Sequence, residues 1–124
     1  MIAKLQNFSD RDSTDVTLLE DGDYLTEIKE RSEAYLYDIL QKLYPSHIVK
    51  WLNYNSDTRS FNESYQHHDF EILDNNRNVV HYIDCKATPH QKRTFYLTTN
   101  EWDFFLDCVA KRKSYQIYRV FNLT

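Results

Sequence analysis

His67-His68-Asp69-Phe70-Glu71-Ile72-Leu73, then Asp74-Asn75-Asn76-Arg77-Asn78, then Val79-Val80-His81-Tyr82-Ile83-Asp84-Cys85-Lys86: the reading of this stretch decides the fold. Two strand-like runs flank five residues that favour tight turns, which predicts a β-hairpin. With the turn centred between Asn76 and Arg77, residue 74 faces 79, 70 faces 83 and 69 faces 84. Asp69 and Asp84 become cross-strand neighbours, with Cβ atoms about 4.5–5.5 Å apart on one face. Two like charges set opposite each other destabilise a sheet, so either one carboxyl keeps its proton or a cation lies between them. Lys86, two residues past Asp84, points to the same face. A one-residue slip in register would break the alignment.

Working outward, residues 24–44 carry Leu25, Ile28, Leu36, Ile39, Leu40 and Leu43 at three- and four-residue spacing, the period of an amphipathic helix. Asp23 is its expected N-cap and Pro45 its stop. Residues 48–54 read as a strand and 55–66 as a polar loop. Downstream, 95–97 read as a short strand, and Thr98 with Glu101 forms a capping box that opens a helix to about residue 111. Trp102, Phe105, Leu106 and Val109 are expected on one face of it. Residues 115–121 close the chain as a strand. The order α-β-β-β-β-α-β predicts an α/β domain with a mixed sheet flanked by helices.

The chain has 124 residues, enough for one domain and one modest core. Residues 1–23 are acidic and without periodicity, and are expected to be a linker or a loosely docked arm; residues 24–124 form the domain. Gly22 is the one glycine, so turns rely on Asn, Asp and Ser. No apolar run approaches the roughly 20 residues that span a bilayer, and the first residues lack the pattern of a secretory signal. Cys85 and Cys108 are too few for a disulfide framework or a four-ligand zinc site. A reduced, cytoplasmic protein (nuclear in a eukaryote) is the expectation. The formal charge of −4 argues against a non-specific basic binder, yet it is uneven. Residues 1–85 hold 8 Lys and Arg against 16 Asp and Glu, whereas residues 86–124 hold 7 against 3. The basic C-terminal third can either meet phosphates or neutralise the acidic part within the fold.

Two carboxylates on one face suit Mg²⁺, which takes one or two such ligands, keeps several waters and leaves room for a phosphate oxygen. A neighbouring lysine can orient or deprotonate an attacking water, while the ion acts as Lewis acid. The same spacing also describes a surface cluster in which Lys86 pairs with both aspartates. The D-x-K pattern alone says little, since Glu27-Ile28-Lys29 also fits [DE]-x-K on a helix where the two charges do not share a face.

The hairpin, followed by Phe95-Tyr96-Leu97-Thr98-Thr99-Asn100-Glu101-Trp102 and Tyr115-Gln116-Ile117-Tyr118-Arg119-Val120, resembles the PD-(D/E)xK nuclease superfamily. In particular it is similar to the domain at the C-terminus of NO VEIN-type proteins, relatives of Mrr-like and Holliday-junction-resolvase-like nucleases. The resemblance covers roughly residues 25–122 and implies a restriction-endonuclease-like core. It implies a nuclease that hydrolyses phosphodiesters with Mg²⁺ or Mn²⁺, as a module of a larger defence, restriction or repair protein. Nucleic acid is the implied partner, with DNA favoured over RNA. By position, Asp69 and Asp84 match the metal-binding acids, the Cys85 carbonyl an extra ligand, and Lys86 the catalytic lysine. Glu33 matches the glutamate contributed by the first core helix. Gln91, Lys92 and Arg93 lie in the loop that borders the cleft in such nucleases, where they either meet nucleic acid or form a solvated loop. The chain departs from the pattern in having Asp84 where Glu is commoner, Ser32 and His68 where Gly is frequent, and no proline before Asp69. These departures leave an alternative: a catalytically inactive nuclease-like module for nucleic-acid or protein interaction. His67 shares the parity of Asp69 and would face Lys86, though as a passive surface histidine rather than a ligand.

Overall fold

The computed structural model of the chain describes residues 4–9, 16–18, 26–62, 67–88 and 95–121. Its central sheet is built around the hairpin of β6 (Phe70–Leu73) and β7 (Val79–Thr88). Asp74 shapes the turn: its Oδ1 accepts the amides of Asn76 and Asn78, both at 2.9 Å, and its carbonyl accepts the Arg77 amide at 3.0 Å. Such side-chain-to-backbone bonds do the work that glycine does elsewhere, although Arg77 must sit at φ 63° to close the turn.

The predicted register holds for Phe70↔Ile83, Glu71↔Tyr82 and Ile72↔His81. Nearer the turn it shifts to Leu73↔Val79, so the turn is tighter than expected and a bulge absorbs the extra residue. The bulge preserves the alternation where it matters, around residues 69–72 and 81–86.

β3 (Ile48–Trp51) adds to β6 antiparallel, and β9 (Tyr115–Phe121) adds to β7 parallel. β1 (Lys4–Ser9) runs antiparallel along the outer edge of β9, giving the order β1-β9-β7-β6-β3. The stretch expected to be a linker or arm therefore contributes a strand. It also holds β2 (Val16–Leu18), which pairs parallel with β8 (Phe95–Leu97). A small antiparallel pair, β4 (Tyr54–Asn55) and β5 (Ser60–Phe61), interrupts the segment read as a loop.

Two helices cover the two faces of this mixed sheet. α1 (Thr26–Leu43) lays Leu36 and Leu40 on Phe70, Ile72, Ile83 and Val120. α2 (Thr99–Ala110) packs Cys108 against Leu97, Tyr115 and Ile117 on the opposite face. The result is an α/β fold consistent with the restriction-endonuclease-like core expected. The apolar faces were drawn too wide, however. Ile28 and Leu43 on α1 are exposed, as are Leu106 and Val109 on α2. The inward stripe of α2 runs through Glu101, Phe104, Phe105 and Cys108, an i, i+3, i+4, i+7 series that brings an acid to the sheet. Asp23 and Leu25 lie outside the described residues. Among those described, no helix is long and apolar enough to cross a membrane.

A side chain with a Cβ in the left-handed region costs about 1–2 kcal/mol. Arg77→Gly is therefore expected to raise stability by up to about 1 kcal/mol, part of the gain being offset by the freer unfolded chain. Urea unfolding should show a higher midpoint at unchanged slope; a lower midpoint would mean that Arg77 holds the turn by contacts of its own.

Candidate functional site

β6 and β7 part at Asp69. Its amide still reaches the Ile83 carbonyl at 2.9 Å, but its side chain takes the next position of the ladder, with Oδ2 accepting the Cys85 amide at 2.8 Å. This brings the Asp69 carboxylate beside Asp84, although the ladder itself ends at Phe70↔Ile83 and does not pair the two residues. In an extended strand the N–H and C=O of one residue leave the chain on the same side. The Cys85 carbonyl therefore also points toward Asp69, away from β9.

Glu33 approaches from α1 and is fully buried. Its Oε1 accepts Trp51 Nε1 at 2.8 Å and Asn53 Nδ2 at 3.0 Å, and the same Asn53 nitrogen gives to Asp69 Oδ1 at 2.9 Å. Trp51 and Asn53 lie at the end of β3 and in the turn after it, so three elements are tied together by one amide and one indole. Lys86 stands on the α2 side. Its Nζ is 2.6 Å from Glu101 Oε1 and 3.3 Å from Asp84 Oδ2. Glu101 Oε1 also accepts the Thr98 amide at 2.8 Å as half of the capping box, so the start of α2 and the lysine are fixed by one carboxylate.

Asp84 and Glu101 thus flank one lysine, Asp69 acts on it from farther off, and Glu33 is joined to Asp69 through Asn53. Asp84 is wholly buried; no donor group serves either of its oxygens, its one side-chain hydrogen-bond contact is the Asp69 carboxyl, and the Lys86 contact is an ion pair without hydrogen-bond alignment. Glu33 Oε2 is also buried and unbonded. Burial, and then the charge of Asp69, push the Glu33 carboxyl up to about 9. Burial, and then the charge of Glu101, likewise push Asp84 well above the carboxylate range, against the pull of Lys86. Burial works against the Lys86 ammonium, but Asp84 and Glu101 outweigh it, and its pKa rises above that of an ordinary lysine. The cluster therefore retains protons on carboxyls and presents a deficit of positive charge.

The sequence-predicted residues Glu33, Asp69, Asp84, Cys85 and Lys86 come together. Gln91, Lys92 and Arg93 lie outside the described residues. His67 does not face Lys86: the ladder begins at Phe70, so strand parity does not reach it, and its ring stacks on Phe104 at 4.1 Å. His68 is buried with Nε2 2.8 Å from Glu71 Oε2, and burial lowers its pKa. Asn53, Trp51 and Glu101 were not foreseen as site residues. Only Glu101 left a signal, in the Thr98–Glu101 capping box, and that motif says nothing of Lys86. A cavity of about 530 Å³ opens at the far end of α2 among Arg77, Tyr82, Arg112 and Lys113, and none of the clustered carboxylates lines it.

Among the described residues, no group of three or more His, Cys, Asp and Glu side chains is arranged to hold a metal ion. What is present is a two-carboxylate set, Asp69 and Asp84, beside the Cys85 carbonyl. That donor set fits a hard ion that keeps most of its waters, such as Mg²⁺, and does not fit a closed zinc site. The oxygens of Asp84, which no donor group serves, supply the acceptor capacity that such an ion would use.

A family model described as "Protein NO VEIN, C-terminal" matches residues 23–124. No curated protein and no solved structure matches the chain.

The raised Glu33 carboxyl has a definite consequence for stability. Below its ordinary value of 4.5 both folded and unfolded chains carry the proton. From there up to about 9 the unfolded chain releases a proton that the folded chain keeps, so stability falls as pH rises. One such proton sets a slope of at most about 1.4 kcal/mol per pH unit. In EDTA, urea unfolding between pH 5 and 8 should show this decline. Glu33→Gln should reduce it and raise stability at pH 8, leaving the same-sign part from Asp84. An unchanged slope in Glu33→Gln would remove Glu33 from the cluster's proton balance.

Proposed function

The chain belongs to the NO VEIN C-terminal family, and from that premise and the geometry of the site we propose that it is a divalent-metal-dependent nuclease domain of PD-(D/E)xK type. It hydrolyses phosphodiester bonds of nucleic acid, DNA in preference to RNA, as a module of a larger defence, restriction or repair protein in the cytoplasm or nucleus. One observation supports this reading above the others. Asp84 is wholly buried, no donor group serves its two oxygens, and it lies between a second carboxylate and a lysine. A buried carboxyl left without donors is costly unless the site binds something that needs it.

Asp69 and Asp84, with the Cys85 carbonyl, would hold Mg²⁺ or Mn²⁺. When bound, the ion supplies Lewis acidity toward a phosphate oxygen and lowers the pKa of a water. The chain's own residues do the rest. Asp69 is oriented through both oxygens, by Asn53 and by the Cys85 amide, so its position is set before any ligand arrives. Lys86, kept protonated by Asp84 and Glu101, is a hydrogen-bond donor and not a base. It positions the attacking water and steadies negative charge developing on the phosphoryl oxygens. Glu33 acts through its free Oε2 on a water or a second ion, while Trp51 and Asn53 fix its other oxygen.

A second reading, a nuclease-like module that binds without cutting, draws on Lys86 being held 2.6 Å from Glu101 and on the lack of a three-ligand cluster among the described residues. The two readings diverge in one assay. Supercoiled plasmid, single-stranded DNA and structured RNA are incubated with Mg²⁺ or Mn²⁺ and with EDTA. Metal-dependent cutting is expected, reduced about a hundredfold or more in Asp84→Ala and in Lys86→Ala, with circular dichroism showing both variants folded. Retained cutting in both folded variants sinks the catalytic assignment; absence of cutting with nucleic-acid binding retained selects the binding module.

A further inference from the structure

Arg119 is a charged residue that the site as described does not use. It lies in the middle of β9 and is 3% exposed. In the parallel ladder it is the partner of Lys86, so the two side chains leave the sheet on the same face, one strand apart. Ile117, two residues before it, is the partner of Asp84. The guanidinium carbon sits 4.4 Å over the Phe121 ring, which holds the side chain flat against the sheet. Its Nε and Nη1 are buried and have no hydrogen-bond partner among the described residues.

A buried guanidinium cannot shed its charge, since its pKa stays above the physiological range, and donors buried without acceptors cost several kcal/mol. No ion pair with a described acid relieves it: Asp84 and Glu101 are the ion-pair partners of Lys86. Burial depresses the Arg119 pKa, and no opposing charge offsets that burial. What matches such a group is an oxyanion with several acceptor oxygens, and arginine suits phosphate in particular. Its place beside Lys86, on the face that carries Asp84, sets such an anion next to the cluster of carboxylates.

We propose that Arg119 forms a phosphate subsite adjoining Lys86, which holds a backbone phosphate of the nucleic-acid strand. This rests on the nuclease-fold reading for the identity of the strand, but not on cleavage. The subsite gives the acidic cluster an attractive element for a polyanion that its ionised carboxylates would otherwise repel. Ion and phosphate would then occupy neighbouring positions, one over Asp69 and Asp84 and the other over Lys86 and Arg119.

The test avoids catalysis. Binding of a fluorescein-labelled single-stranded DNA 12-mer is followed by anisotropy in EDTA at low salt, for the full chain and for Arg119→Met and Arg119→Lys. The Arg119 Nε–Hε resonance of the unaltered protein is followed by NMR as inorganic phosphate is added. The expected results are a tenfold or greater loss of 12-mer affinity in Arg119→Met, an intermediate loss in Arg119→Lys, and a saturable shift of the Nε–Hε signal. The melting temperature of Arg119→Met should be unchanged or higher, because an unpaired buried charge has been removed; a structural arginine would give the opposite. Affinity within twofold of the unaltered protein in both variants overturns the subsite. If Arg119→Met does not fold, the NMR titration decides: a signal unmoved by phosphate overturns it, and a saturable shift sustains it. Loss of the nuclease reading leaves a separate trace, since no substrate would be cut in Mg²⁺ while 12-mer binding still depended on Arg119.

Discussion

Where β6 and β7 separate, a side chain takes the place of a backbone partner: Asp69 Oδ2 receives the Cys85 amide at 2.8 Å. The arrangement of the site depends on this bond. It continues the ladder by one step without a strand residue to do so, which frees the chain before Asp69 to leave the sheet. It also sets the Asp69 carboxylate beside Asp84 and turns the Cys85 carbonyl to the same side. The bond holds only while the alternation along β7 is kept, and the bulge near the Asp74 turn keeps it by taking up the odd residue. A defect in pairing at one end of the hairpin thus preserves the geometry at the other.

The second constraint is electrostatic. Asp69, Asp84 and Glu101 act on one ammonium, and Glu33 adjoins Asp69 through Asn53, in a space where burial removes water from most of them. The molecule meets this imbalance in two ways. Hydrogen-bond donors are assigned unevenly: Asn53 and the Cys85 amide serve both oxygens of Asp69, Trp51 and Asn53 serve one oxygen of Glu33, and none serves Asp84. The carboxyls with fewest donors, Glu33 and Asp84, are those that hold protons more tightly. Their oxygens without donors are those a cation could meet without displacing a hydrogen bond, at the cost of releasing the proton they hold.

Much of this was legible in the sequence, and the rest was hidden for physical reasons. Register, the shared face of Asp69, Asp84 and Lys86, and the two helices follow from periods of 2 and 3.6, which are local properties. β1 and β2 were missed because a strand at the edge of a sheet needs only a free neighbour, and their acidic, polar surroundings carry no alternation. The sequence marks Glu101 as a cap, which it is; that the capping oxygen also meets Lys86 depends on how α2 crosses the sheet. Asn53 could not be singled out from a turn in a polar segment, since its role is to bridge Glu33 and Asp69, 20 and 16 positions away. His67 shows the opposite error: parity was extended past the end of the strand, where it no longer constrains a side chain.

Glu101 joins the two constraints. One of its oxygens caps α2 through the Thr98 amide and also binds Lys86, so helix position and lysine position vary together. If Lys86 turned toward a bound phosphate, Glu101 would be left with the cap alone and Asp84 with no cation beside it. Both losses are offset only when a cation and an anion arrive together, the one meeting the carboxylates and the other meeting Lys86 and Arg119. A site of this kind favours the paired ligand over either partner alone, because each neutralises the charge that the other leaves exposed. In the proposed nuclease, cooperativity between ion and polyanion would then follow from charge balance in a buried space, with no change of fold required.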